Sequence, residues 1–279
     1  MNISKGEQNL GQKLDIVNSM SDGNSEFQIL EVNKLEGSMS INQASSLQLA
    51  EQKGLKARYV RIIMNNSVIK TEAGALYYYI GQIESQTKVG GVGGFLKKSI
   101  AGSLTEENAL KPTYGGTGEI WLEPSFKHYI LLELKNEEII VDKGMFYCCS
   151  GGVEVRVVSQ KNLSSALLGG EGIFQIGLRG TGVVVLESLV PQNEIIQYNI
   201  KQGQVMKVDG NFAIARTAGV QFSVTKSDKG LFATAMKGEG LLNTFTGEGS
   251  VWLAPTIPVY SRMNQGLASI LNNNSSNNK

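Results

Sequence analysis

Three short stretches of this chain say the same thing. Gly115–Pro124 reads GGTGEIWLEP, Arg179–Ser188 reads RGTGVVVLES, and Thr246–Pro255 reads TGEGSVWLAP. Each is a glycine turn feeding a run of apolar, largely β-branched residues, the pattern of a turn entering a strand. A sequence that repeats a unit at this period is built from copies of one small supersecondary element, so the repeat constrains the fold more than any composition does.

Two further landmarks recur in step with the first. Ile83–Lys88 corresponds to Val153–Val158 and to Val220–Thr225, and in the first and third copies apolar or β-branched residues mostly alternate with polar ones, as in a half-buried strand. Gly74, Gly144 and Gly210 each end a polar turn ahead of another strand. Upstream of the copies, Phe27–Val32 and Arg58–Met64 also read as strands.

The repeat also decides the meaning of the segment K-V-G-G-V-G-G-F-L-K-K-S at residues 88–99, which resembles a phosphate cradle with its lysine and serine. Gly102, Gly170 and Gly238 are spaced 68 residues apart, and this register lays Lys97, Lys98 and Ser99 over Ser165, Ala166 and Leu167 and over Ala233, Thr234 and Ala235. A phosphate loop needs its lysine directly after the last glycine, whereas Phe95 and Leu96 intervene here. A dinucleotide fingerprint fails too, since Gly91-Val-Gly93 has no third glycine in place and no strand–helix alternation follows. What the three segments share is an apolar pair (Phe95 and Ile100, Leu163 and Leu168, Leu231 and Met236), which predicts short helices near 94–101, 162–168 and 230–237.

Composition narrows the function. The chain has 279 residues, 41% of them hydrophobic, enough for a sizeable core. Lysine and arginine number 26 against 25 acids, a net charge of +1, which excludes a protein that lives on non-specific attraction to phosphate. The first 26 residues carry four acids, no arginine and no apolar core, so neither a secretory nor a mitochondrial targeting signal is read there, and a cytoplasmic location is expected. No apolar run is long enough for a transmembrane helix.

Candidate chemistry is sparse. The two cysteines, Cys148 and Cys149, are neighbours that an extended strand points to opposite faces, which disfavours both a bridge and a shared metal. With one histidine, His128, no zinc site of ordinary ligand count can be drawn, and no G-x-S-x-G serine accompanies it. The acids Glu137, Glu138, Glu171 and Glu239 read as solvated turn residues. The expectation is no enzymatic activity, no catalytic, cofactor-binding or metal residues, and no cofactor. The run Tyr77-Tyr78-Tyr79 invites a base-stacking reading, but a strand gives Tyr77 and Tyr79 one face and Tyr78 the other, and the first arginines, Arg58 and Arg61, lie some way along the chain.

The combination of GGEG at 169–172 and KGEG at 237–240 after a short apolar helix, with GTG and GEG turns leading into V-x-L, resembles the altered-inheritance-of-mitochondria family numbered twenty-four, whose bacterial members were long filed as a domain of unknown function. The resemblance covers about residues 27–260. It implies an all-β fold similar to the tryptophan RNA-binding attenuation protein (TRAP-like, of the double-stranded β-helix type), with three tandem β-sandwich-like repeats around a pseudo-threefold axis and short helices between strands. It implies no enzyme activity. The expected organisation is a flexible leader at 1–26, a triple-repeat domain at 27–263 with copies near 69–134, 139–200 and 205–258, and a disordered Asn/Ser-rich tail at 264–279. The expected function is a non-catalytic β-scaffold that self-associates or meets protein partners, with RNA binding as the alternative by analogy of fold.

Overall fold

The computed structural model describes residues 14–85, 111–159, 174–209, 211–226 and 241–263. They form fifteen strands: β1 (Leu14–Ser21), β2 (Ser25–Val32), β3 (Arg58–Thr71), β4 (Leu76–Ser85), β5 (Thr113–Leu122), β6 (His128–Asp142), β7 (Phe146–Ser150), β8 (Val153–Ser159), β9 (Phe174–Ser188), β10 (Ile196–Ile200), β11 (Val205–Asp209), β12 (Ala213–Thr217), β13 (Val220–Lys226), β14 (Leu241–Gly247) and β15 (Gly249–Leu253). A helix, α1 (Ile41–Gln52), joins β2 to β3, a 3-10 turn (Gln192–Glu194) precedes β10, and a further helical stretch at 257–263 follows β15. The all-β expectation holds, and every strand pair whose register is defined runs antiparallel.

The chain divides into two compact units. The first comprises Met1–Glu137, Phe146–Glu154 and Gly180–Ser188. Its sheet runs β1-β2-β3, and β3 then pairs along its length with β5 and at its end with β7. β4 adds to the far side of β5. The inward positions alternate as a strand period requires, so Phe27, Ile29, Val60, Ile62, Met64, Ile120 and Leu122 form the centre of one core with Cys148, Val183 and Val185.

The second unit comprises Glu138–Met145, Val155–Arg179 and Leu189–Lys279. In it β12 lies between the end of β6 and β15, and β15 pairs on with β10. A separate three-stranded sheet has the order β11-β14-β13. Ile200, Val208, Val220, Phe245 and Val251 close its core, with Met206 and Phe222 packed against them.

The leader expectation needs correction from residue 14 onward, because β1 and β2 form a hairpin there. Asp22 Oδ1 accepts the N–H groups of Asn24 at 3.0 Å and Ser25 at 2.7 Å, and Gly23 takes a φ of +95°, which closes the turn. The alternation that would betray β1 is broken by a bulge between Ile16 and Asn18, so the sequence looks aperiodic although Met20 packs on the core.

Other elements differ in detail. The expected boundary between copies at 134–139 falls inside β6, which continues through the polar Lys135–Glu138 with Asn136 at a φ of +56°. The helix α1 was not foreseen. Ser40 accepts the Gln43 N–H at 3.2 Å and Gln43 Oε1 accepts the Met39 N–H at 2.9 Å, a reciprocal cap legible as S-x-x-Q, yet none of its residues is buried. The helices expected near 94–101, 162–168 and 230–237, and the tail at 264–279, lie outside the described residues. Gly74 and Gly144 do end turns, with φ of +80° and +84°, and Gly210 is outside.

Candidate interaction surface

Tyr77, Tyr78 and Tyr79 sit on β4, at the edge of the first unit's sheet among the described strands. A bulge between Leu76 and Tyr78 takes up Tyr77, after which Tyr78 faces Trp121 and Tyr79 faces Ile120. Cross-strand register then builds a row: Tyr78 on β4, Trp121 on β5, Arg61 on β3 and Gln28 on β2 are successive partners.

The row is stacked. Tyr78 lies nearly parallel to Trp121, with ring centroids 5.6 Å apart and 15° between planes. The Arg61 guanidinium sits 5.3 Å from the Trp121 centroid, and Tyr59 meets the indole edge-on at 6.0 Å. Arg61 Nε donates to Gln28 Oε1 at 2.7 Å, and its Nη1 lies 4.0 Å from Glu119 Oε2. The same Glu119 oxygen accepts from Trp121 Nε1 at 3.2 Å. Burial, first of all, raises the Tyr59 and Tyr78 phenols above the ordinary tyrosine value, so both stay neutral at physiological pH.

Trp121 is 8% exposed, while Tyr77, Tyr79 and Ile80 are 56%, 44% and 62% exposed. The surface is therefore a buried aromatic base with an exposed apolar rim, in which Tyr77 packs on Tyr78 at 5.5 Å and Tyr79 on Tyr114 at 6.5 Å. Its one cation is offset by Glu119, so the row is planar and apolar with little net charge.

The sequence placed Arg58 and Arg61 away from the tyrosines. The β3–β5–β4 ladder corrects this for Arg61, which it brings within one ring of Tyr78, because antiparallel pairing makes neighbours of residues far apart in the chain. Arg58 serves the fold, with its Nη2 2.6 Å from Glu31 Oε1. Tyr59, Glu119 and Trp121 were missed as surface residues; the signal was that Glu119 and Trp121, two apart in GEIWL, share a face.

The other candidates are not gathered. Cys148 and Cys149 are free, fully buried thiols; burial pushes Cys148 well up and Cys149 up to about 12. His128 begins β6. Glu138 accepts from Arg156 Nε at 3.0 Å, and Glu137 is exposed. Lys97, Lys98, Ser99, Glu171 and Glu239 lie outside the described residues. Among the described residues no three acids, cysteines or histidines cluster as metal ligands, and no helix is long and apolar enough to cross a membrane.

The second unit holds one buried polar cluster. Arg216 on β12 donates from Nη1 to the Val220 carbonyl at 2.7 Å and from Nη2 to Gln175 Oε1 at 3.2 Å. Gln175 Nε2 in turn donates to Asp142 Oδ1 at 3.2 Å. Burial raises Asp142 to about 6, against the favourable pull of Gln175 and Arg216. It lowers Arg216 to about 10, with Asp142 and Glu138 opposing.

Antiparallel sheets and apolar cores define an all-β protein. The chain belongs to the AIM24 family, described as mitochondrial biogenesis AIM24, whose model matches residues 51–256. An uncharacterised protein of Streptococcus pyogenes serotype M6 is 23% identical over 236 residues, 81% of this chain and 91% of that one. The X-ray structure of a Streptococcus pyogenes protein superposes with a TM-score of 0.51 at 20% identity, covering 71% of this chain and 88% of that one, and shows a shared fold.

Proposed function

We propose that this chain is a non-catalytic β-scaffold that self-associates or presents a surface to protein partners. One observation carries the reading: Tyr77–Ile80 form an uncharged sheet edge with apolar groups exposed on both faces. Edges of this kind invite pairing with another chain unless charge, proline or a covering element blunts them. The stacked Tyr78–Trp121–Arg61 row gives that edge a rigid base, which lowers the ordering cost of a contact. The deep burial of both thiols supports the non-catalytic part.

The scaffold we propose is three tandem copies of a TRAP-like unit. Support comes from local geometry. Gly116 and Gly118, Gly180 and Gly182, and Gly247 and Gly249 all take positive φ. The residue between the glycines caps a break in the long strand twice, Thr117 Oγ1 accepting from Asn66 N–H and Thr181 Oγ1 from Asn136 N–H. A third left-handed residue, Gly203, stands where the next copy requires one.

RNA binding is the second reading, favoured by the parallel stack with Arg61 on the same tryptophan. The Glu119 carboxylate against that arginine weighs for protein. Purification without nuclease tests both: the scaffold reading expects the A260/A280 ratio of protein alone and a light-scattering mass above one chain. Bound nucleic acid released by Arg61→Ala would replace it with the RNA reading.

A further inference from the structure

The buried polar cluster of the second unit ties three strands together by side chains. In the sheet order β9-β6-β12, Gln175 and Arg216 belong to the strands that flank β6, and Arg216 Nη2 donates to Gln175 Oε1 at 3.2 Å. Gln175 Nε2 then returns to the end of β6, donating to Asp142 Oδ1 at 3.2 Å. Arg216 and Gln175 are 5% and 6% exposed. The ladder beside this bridge is short: Ile139, Ile140 and Val141 face Thr217, Arg216 and Ala215, and the Ala218 N–H donates to the Glu138 carbonyl at 3.1 Å.

Donor chemistry fixes the direction of the bridge. A guanidinium only donates, so Gln175 must turn Oε1 to Arg216 and Nε2 to Asp142, and the carboxyl must accept on Oδ1. A proton on Asp142 therefore sits on Oδ2 and leaves the chain of bonds in place; what it changes is the charge. Arg216 donates to Val220 and Gln175, and its Nε has no partner among the described residues, so the acid meets the guanidinium through an amide.

The sequence repeat supplies a comparison. Glu72 and Asp142 each stand two residues before a turn glycine, Gly74 or Gly144, and Lys111 and Gln175 each stand seven residues before Gly118 or Gly182. Glu72 is ion-paired with Lys111, whereas Asp142 finds glutamine at the matching place. The other charges beside the bridge are Glu138 of β6, which acts on Arg216 and is bonded to Arg156 of β8, and the exposed Lys143 that follows Asp142 in the turn. A carboxylate taken out of water without a cation in contact is costly, and a proton removes that cost.

We propose that Asp142, Gln175 and Arg216 form a proton-operated clasp on the β6–β12 ladder, tight while Asp142 carries its proton and eased once the carboxyl ionises, so that this seam opens ahead of the fold as a whole at neutral pH. Burial raises the carboxyl from 3.8 to about 6, which puts the change between mildly acidic and neutral conditions. Opening the ladder returns the group to water, where it ionises more readily, so opening becomes easier as pH rises through that window.

Hydrogen exchange of the full chain, read at the Ala218 amide and corrected for the intrinsic pH dependence of exchange, tests the clasp. Ala218 is expected to exchange faster than the best-protected amides of the chain, and its protection to fall on the order of tenfold from pH 5 to pH 7. Asp142→Asn, neutral and of the same shape, should abolish the fall. Arg216→Gln removes the favourable charge and should move the midpoint of the fall to higher pH, a shift that a purely structural role for Arg216 would not produce. Protection that is the same at both pH values, or a fall that survives in Asp142→Asn, would overturn the proposal. So would Ala218 exchanging in step with the best-protected amides, since the ladder would then open only with the whole fold. An unmoved midpoint in Arg216→Gln would overturn the three-residue clasp, and Gln175→Leu, which cuts the same bridge at its middle, gives that reading again should Arg216→Gln not fold.

Discussion

Asn66 donates its backbone N–H to Thr117 Oγ1 at 2.9 Å from a left-handed φ of +47°. The bond fastens the break in β3 to the middle of the G-T-G turn in β5, and it explains why the glycines flank a threonine. On either side, Gly116 and Gly118 approach β4 so closely that a Cβ would run into the carbonyl oxygens of Gln82 and Ile80. Close approach here is to the chain's own backbone, which makes these glycines structural.

Replacing Gly118, Gly182 or Gly249 by valine is expected to destabilise the protein by at least about 2 kcal/mol each, from strained φ and overlap together. Gly118→Val should cost most, because its obstacle is a backbone carbonyl, whereas Gly182 and Gly249 meet the side chains of Ser150 and Thr217. Urea midpoints measure this. Three unchanged midpoints would show the turns to be tolerant and the structural explanation wrong.

Trp121 and Tyr78 separate fold from surface. Trp121→Ala removes a nearly buried ring holding Tyr59, Tyr78 and Arg61 and should cost about 3 kcal/mol. Tyr78→Ala, at the edge, should cost about 1 kcal/mol or less. Chemical unfolding of the two variants, run side by side, checks the order.

Asp142 makes stability depend on pH in a direction opposite to most carboxylates. Its pKa is raised to about 6 from 3.8, chiefly by burial, so the folded state holds its proton more tightly than the unfolded one. The contribution is present in full below pH 3.8 and is lost as pH rises through about 6, up to about 3 kcal/mol at 1.36 kcal/mol per unit. Melting temperature from pH 4 to 7 should show this fall superimposed on the other groups, and Asp142→Asn should flatten it. An identical slope in wild type and variant would rule the assignment out.

Both cysteines should resist a thiol reagent at pH 8 in the folded protein and react once it is unfolded. Cys149 is pushed up to about 12 and Cys148 well up, so thiolate is scarce as well as inaccessible. Rapid labelling of either without denaturant would contradict the burial of β7.

The strands were legible where period and turn chemistry agree. Phe27–Val32 and Arg58–Met64 lie within strands, and the apolar run of each glycine-led segment lies on β5, β9 or β15. Legibility failed where one residue breaks the period: the bulge at Ile16 and Asn18 hid β1, and Asn136 disguised a continuous β6 as a turn. The surface was half visible. Three consecutive tyrosines announced an exposed strand, but the partners Arg61 and Trp121 are set by register across two ladders, which residue order alone does not specify.

Because α1 fully buries none of its residues and only half-buries Leu47 and Ala50, the sheet derives little stability from it. The helix can open and close as a unit of its own while β2 and β3 remain paired through Phe27 and Ile62, and its amide protons should exchange long before those of the strands. Selection for the core therefore presses lightly on the exposed face of α1, and a label or a whole foreign domain spliced there would ride on the scaffold with little effect on it.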